Sequence, residues 1–471
     1  MLSKKSISGL ESGEKILAID FRPATGQLYA VGDNSRLYTI NPETALARQV
    51  GTMAFSPAIQ GTLVGFDFNP TVDRIRLVTN SGQNLRLNPE TGGLAATDGM
   101  LNPGSPMVIS AAYTNSFAGA AATTLFDIDL ASQKLVKQTP PNNGTLVPVG
   151  SLGVVATGEG GFDISPDNKA ALAALTIDSK SSLYLIDTLT GKAQKLGIFA
   201  HPVIGIAIPT NPVAYSVDHT NNLLIFNMNS NAAPVSKVIA PLQAGETILG
   251  IDMRPATGQL YALGSTSRIY SINMSNGMAT VIGTMPFSPA LSGTSFGFDF
   301  NPTVDRIRVV SNTGQNLRLH PETGVVAVTD KPLNPGTPMI SGVAYTNNYA
   351  GATTTTLYDL DFMSDKLFMQ APPNDGTLVA VSSLNANIDA NNGFDIGGQS
   401  NKGYILSTSG MMSKIYSINL SSGKASLEGN FPAAGKIVSG EHWLDDEGRR
   451  IQVQCPATID ACIQPVHPSQ K

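Results

Sequence analysis

The sequence predicts an all-β chain folded as two tandem five-bladed β-propellers, and three observations carry that reading. Residues 64–92, VGFDFNPTVDRIRLVTNSGQNLRLNPETG, recur at 296–324 as FGFDFNPTVDRIRVVSNTGQNLRLHPETG with 24 of 29 positions identical, so the chain is written twice at an offset of 232 residues. A repeat of this length has to be settled first, because missing it misassigns the whole fold. Inside each half a shorter unit of about 46 residues returns, one fifth of the large repeat. Units of about 40–50 residues with four strands each are the signature of propeller blades. Between turns, apolar residues alternate with polar ones over roughly four to six positions, the period of a strand.

The first part of each unit reads apolar-x-Asp-apolar-x-Pro, then a turn and a second strand: LAIDFRPATGQLYAV (17–31), VGFDFNPTVDRIRLV (64–78) and GGFDISPDNKAALAA (160–174). The second part is a strand with an Asp/Asn-rich turn: RLYTINPETA (36–45), NLRLNPETGG (84–93), TLFDIDLASQ (124–133), SLYLIDTLTG (182–191) and NLLIFNMNSN (222–231). Pro presets φ, Gly allows φ > 0, and Asn and Asp bond their own backbone two residues on. Blades start near residues 16, 64, 108, 160 and 203, and the first four return at 248, 296, 340 and 392. The fifth is where the halves differ. Residues 203–242 read as a complete blade, whereas 436–471 aligns poorly with it. At the start, SISGLESGEKILAID (6–20) matches VIAPLQAGETILGID (238–252), the outermost strand of a fifth blade, without the strands that should precede it. Propellers often close by pairing a first strand with the last blade, which protects exposed edges. The expected domains are therefore 1–206, 207–440 and a C-terminal tail, 441–471. One continuous ring of about ten blades shares the same period and is the alternative.

Composition agrees with short strands and tight turns. Charged residues are only 14 %, against the usual quarter, while Gly (46) and Pro (30) are frequent. A net charge of -5 offers no basic stripe, which argues against nucleic acid as a partner. No apolar run approaches the ~18 residues of a membrane span. The two cysteines, Cys455 and Cys462 in QCPATIDACIQP, either close a small disulfide loop or stay free thiols in a tail. Residues 1–15 hold no hydrophobic segment and hence no signal peptide, so either the protein is cytoplasmic or the sequence starts after a removed leader.

GFDFNPTVDRIR with QNLRLNP, preceded by ILAIDFRPATGQLYAVG, resembles a bacterial family known as domain of unknown function 4394. The second half repeats the set as GIDMRPATGQLYALG (250–264), GFDFNPTVDRIR (297–308) and GQNLRLHPETG (314–324), so the resemblance covers about 16–200 and 212–432. It implies a propeller-like β-domain in proteins that are usually exported, and it implies no activity. The chain departs from the pattern at its start: the opening strands, seen as VAYSVDHTNNLLIFNMNS in the second half, have no counterpart before residue 6. That departure points to an extracytoplasmic protein whose leader and first strands are missing from this sequence.

Three groups of residues are candidate sites. Asp20, Asp67, Asp163, Asp252, Asp299 and Asp395 recur on the innermost strands. Such a set lines an axial channel and takes a hard cation such as Ca²⁺, which prefers several oxygen ligands, or else it accepts backbone N–H bonds from the next blade. Arg74 and Arg76 share one strand face, and Asn84 and Arg86 share a face of the next strand, with Asp67 and Asp73 nearby. The set returns as Arg306, Arg308, Asn316 and Arg318 with Asp299 and Asp305. The planar fork of Arg suits an anion or acidic sugar; the alternative is an inter-blade ion-pair network. Asp127/Asp129 and Asp359/Asp361, at i and i+2, suit acid–base work or a metal, or simply begin turns. Of five His, only His320 falls in a repeat motif, where its counterpart is Asn88, and a catalytic His is not expected to appear as Asn in one copy. No HExxH, P-loop or CxxC is present. Trp443, outside the repeats, is a candidate cap of the last blade or a sugar-stacking residue.

A duplicated fold without an asymmetric catalytic set suits a rigid surface presenting loops to a protein or glycan. The expectation is an extracytoplasmic, non-catalytic binding or scaffold module. Its rivals are a metal-dependent hydrolase or lyase acting on a lactone or polysaccharide through the axial Asp set, and a structural or adhesive surface subunit.

Overall fold

The computed structural model describes residues 3–42, 44–227, 230, 232–398, 400–410, 412–431, 437–442, 451–455 and 460–464. Among them the alternating segments form ten four-stranded antiparallel sheets, and the helical content is two single-turn 3₁₀ helices, Pro141–Asn143 and Pro373–Asp375. The chain divides into two compact units, Met1–Asn211 with Gly448–Lys471, and Pro212–Glu447.

In the first unit the inner strands Ile16–Phe21, Val64–Asn69, Val108–Tyr113, Gly160–Ile164 and Gly205–Ala207 neighbour one another in that order, and the fifth returns to the first. In the second, Ile248–Arg254, Phe296–Asn301, Ile340–Tyr345, Asn392–Ile396 and Ile437–His442 close a ring in the same way. Each unit is a five-bladed propeller.

The glycines of the GFDF motif permit these rings to be tight. A Cβ on Gly65 would stand 2.7 Å from Val78 Cγ2 and 2.8 Å from the Ala111 backbone nitrogen of the next blade. The phenylalanines of the same motif fill the space between blades. Phe66 and Phe68 pack with Tyr29, Val31 and Leu37 of the preceding blade and with Ile75, Leu77, Leu85 and Leu87 of their own. Tyr29 meets Phe68 edge-on at 5.1 Å, and Tyr261 meets Phe300 at the same distance in the second propeller.

The fifth blades correct the expected boundaries. Gly205–Ala207 pairs with Ile451–Cys455, which pairs with Asp460–Gln464, which pairs with the N-terminal strand Ser3–Ser6. The expected separate tail 441–471 thus supplies two strands of the first propeller. The strands Ala214–Asp218, Asn222–Phe226 and Val235–Val238, read from sequence as the continuation of the first half's last blade, pair instead with Ile437–His442. Alternation settles which face of a strand is buried but not which strand it pairs with. Closing both rings leaves neither with an open blade. Trp443 and the side chains of Cys455 and Cys462 lie outside the described residues.

Candidate functional site

The apolar-x-Asp pattern places one carboxylate on an inner strand of blades 1, 2 and 4. The result is Asp20, Asp67 and Asp163 in the first propeller, and Asp252, Asp299 and Asp395 in the second. In each triad the carboxylate oxygens lie within 4.8 Å of one another, and all six residues are buried. Asp20, Asp67, Asp163, Asp252 and Asp299 also serve the ring. Asp20 Oδ2 accepts the Phe68 N–H (2.9 Å), Asp67 Oδ1 that of Tyr113 (3.2 Å) and Asp163 Oδ2 that of Ile208 (2.5 Å), always across a blade boundary. Asp252 and Asp299 accept from Phe300 and Tyr345 in the same manner. The residues just before Tyr113 and Ile208 are Ala112 and Ala207, which is why three blades of five contribute a carboxylate. After an Ala-bearing blade, the N–H following the next Asp turns to that Asp itself, as Ile164 does to Asp163 (2.6 Å).

Burial, then the neighbouring Asp163 carboxyl, pushes Asp20 well above the usual carboxylate range. Burial followed by Asp20 and Asp163 does the same to Asp67, and burial followed by Asp252 and Asp395 does so to Asp299. Burial pushes Asp163 up to about 7, with the Ile208 and Ile164 N–H groups opposing. Three carboxyls this close cannot all ionise unaided. Chemically they can share protons or hold a hard cation.

The arginine-rich blade is brought together only in part. Arg76, 2 % exposed, donates through Nη1 to Asn84 Oδ1 (2.7 Å) and Asp98 Oδ2 (2.5 Å), through Nη2 to Asn142 Oδ1 (2.8 Å), and through Nε to Tyr113 Oη (3.4 Å). Arg86 grips Asp98 with Nε and Nη2, at 2.8 and 2.9 Å. Arg308, Asn316, Arg318, Asp330 and Asn374 repeat the arrangement. Arg74 and Arg306 stand apart, each donating to the backbone oxygen of the residue before it, Asp73 or Asp305. Asp73 is the partner of Arg22, which also reaches Glu90, as Arg254 reaches Asp305 and Glu322. Sequence reasoning missed Asp98, Asn142, Arg22 and Glu90. The signal was the identity of RPATG at 22–26 and 254–258, and of the Thr-Asp pairs at 97–98 and 329–330.

The i, i+2 carboxylates divide their roles. Asp129 begins a turn, accepting from Met107 N, Ala131 N and Ser132 N, and Asp361 does likewise. Asp127 and Asp359 are wholly buried between blades, and neither oxygen of either has a hydrogen-bond partner. His320 Nδ1 accepts the Glu322 N–H (3.2 Å) as Asn88 Oδ1 accepts that of Glu90 (2.8 Å), so both residues hold the same turn.

The model of a family described as "Domain of unknown function (DUF4394)" matches residues 1–207 and 222–440. No curated protein matches. Among solved structures, the chain is similar to the Dos1 propeller at 12 % identity over 65 % of this chain and 79 % of that one, with a TM-score of 0.28. It is also similar to the extracellular domain of the putative one component system BT4673 from B. thetaiotaomicron, at 11 % identity over 98 % and 72 % of the two chains and a TM-score of 0.28. The WD40 β-propeller domain of Doa1 gives 13 % identity over 66 % and 94 %, with a TM-score of 0.27.

Proposed function

Since the chain belongs to the domain of unknown function 4394 family through both of its halves, we propose that it is an extracytoplasmic, non-catalytic binding or scaffold module presenting loops to a protein or glycan. One observation carries this reading. The carboxylates that a hydrolase would use are 1–4 % exposed, and five of the six, Asp20, Asp67, Asp163, Asp252 and Asp299, accept backbone N–H bonds that tie one blade to the next. Four of the six arginines an anion site would use, Arg76, Arg86, Arg308 and Arg318, are likewise engaged with Asp98 and Asp330. A rigid ring leaves recognition to its loops, as scaffolded binding surfaces commonly do. The extracytoplasmic part rests on the resemblance to a usually exported family. The test is binding to a glycan array alongside turnover assays on lactones and polysaccharides. Saturable binding without product supports the module. Turnover abolished by Asp67→Asn overturns it in favour of the hydrolase. A concentration-dependent assembly in size-exclusion chromatography without ligand favours the adhesive subunit instead.

The convergence of three carboxylates within 4.8 Å supports a second element of this reading, a hard divalent cation such as Ca²⁺ held as a strut by each triad. A ligand that binds only the folded state raises apparent stability by RT ln(1 + [L]/Kd). Elemental analysis, with thermal melting in Ca²⁺ and in EDTA, tests it. Bound metal and a Ca²⁺-dependent rise in Tm support the strut; no metal and no shift leave the carboxylates as inter-blade hydrogen-bond acceptors alone.

A further inference from the structure

Asp127 lies on the strand Leu125–Asp129, in register with Ala111 on one side and Val136 on the other, and it faces blade 2. The apolar cluster between these two blades includes Val78, Leu125 and Val136. It is 0 % exposed, and both of its oxygens lack a hydrogen-bond partner. Gln138 is on the same face of the neighbouring strand, one diagonal step away. Its Nε2 donates to the Pro141 carbonyl (2.6 Å), which fixes the amide and leaves Oε1 as a second buried acceptor without a partner. The second propeller repeats every part: Asp359 is 0 % exposed with both oxygens unpartnered, and Gln370 Nε2 donates to Pro373 while its Oε1 has no partner. Buried polar atoms are almost always satisfied, so two copies of the same unmet acceptor set point to a ligand.

The chemistry of that ligand follows from the charges. Burial pushes Asp127 up to about 8 and Asp359 well above the usual carboxylate range, and the Arg76 and Arg308 guanidinium groups oppose this through space without a direct hydrogen bond. Arg76 and Arg86 together share one partner carboxylate, Asp98, so the cluster already carries one positive charge in excess while Asp127 is protonated, which disfavours a bound cation. A neutral molecule with two hydrogens to donate and a lone pair to accept is matched to Asp127, Gln138 and the remaining Nη2 hydrogen of Arg76. We propose that each propeller encloses, between blades 2 and 3, an internal water site that bridges Arg76, Asp127 and Gln138, or Arg308, Asp359 and Gln370.

Two measurements on the full-length protein test this. In a high-resolution crystal structure, an ordered solvent peak within hydrogen-bond distance of Arg76 Nη2, an Asp127 oxygen and Gln138 Oε1, repeated at the second site, is the expected result. Empty density overturns it, and so does a peak with anomalous signal or metal-like oxygen distances. The second measurement is the sign of the Tm change in Asp127→Leu. A water-bridged carboxyl predicts a fall, because the water and the Arg76 and Gln138 groups it serves lose a hydrogen-bond partner. A dry, unsatisfied carboxyl predicts a rise, because Leu removes an unmet buried group, and that rise overturns the proposal. Should Asp127→Leu fail to fold, the wild-type density decides alone.

Discussion

Ala207 pairs in register with Gln452, whereas Ala214, a short loop further on, pairs with Phe226 and His442. That exchange determines the architecture. Had Gly205–Ala207 continued into Ala214–Asp218, as the inner strand of each of the first four blades continues into the next strand, the two halves would join as one ring of ten. With the partners exchanged, each ring closes on itself, and the whole of Pro212–Glu447 is an insertion into the first propeller.

Deleting Gly448–Lys471 should therefore damage the first propeller and spare the second. The strand Gly205–Ala207 would lose its partner and Ser3–Ser6 would lose its own, leaving open edges. Differential scanning calorimetry of the truncated chain should show the transition of one propeller lost or strongly lowered. Separately expressed 212–447 should reproduce the transition that remains. Two unchanged transitions would refute this ring closure.

Removing Asp98 should be far more damaging than removing its exposed partner. Arg76 and the Asp98 carboxylate are 2 % and 6 % exposed, whereas Arg86 is 32 % exposed. Asp98→Ala strands a buried guanidinium and should cost about 3–5 kcal/mol. Arg86→Ala opens a half-exposed pair and should cost about 1 kcal/mol or less. Urea unfolding of the two variants checks the ratio, and equal losses would mean that Asn84, Asn142 and Tyr113 suffice for Arg76.

How much of this was legible beforehand follows from what repetition encodes. Blade number, the inner-strand Asp set and the Arg76–Asn84 pairing all show as period and alternation, because each is fixed within one or two adjacent blades. Asp98 was not legible, because it lies after its strand and its partnership depends on the packing of the blade interface. Asp127 and Asp129 looked alike in sequence. Only the sheet shows that Asp129 caps a turn while Asp127 enters the space between blades. The partner of Gly205–Ala207 was invisible for the opposite reason: several strands offer the same apolar pattern, and ring closure chooses among them.

The axial triads should make the protein more stable in mild acid than at neutral pH when divalent cations are chelated. Asp163 is raised from 3.8 to about 7 by burial, and Asp20 and Asp67 are raised also. A group with a raised folded-state pKa binds more protons folded than unfolded, so its stabilising contribution is full below its unfolded value and is lost as pH rises through the folded one. In EDTA the Tm should fall as pH rises from about 4 to about 7, and Asp163→Asn should flatten that slope. If the triad holds Ca²⁺, saturating cation should restore the neutral-pH Tm in wild type and not in the variant. A Tm that rises over the same interval would show that other carboxylates dominate.

The duplicated Arg22 and Arg254 sites offer a comparison internal to one molecule. The residues are the same and the partners are the same, but Arg22 and Asp73 are 0 % and 6 % exposed while Arg254 and Asp305 are 11 % and 35 % exposed. Their secondary partners differ in the same sense, with Glu90 17 % exposed and Glu322 65 % exposed. Solvent screens the second set and leaves the first to depend on its pairing alone. Arg22→Met should leave buried carboxylates uncompensated and cost about 3–5 kcal/mol. Arg254→Met should cost about 1 kcal/mol, because water reaches what it leaves behind. Urea titrations that resolve the two propellers measure both in one chain. Equal losses would mean that solvent exposure of the pair does not decide its worth.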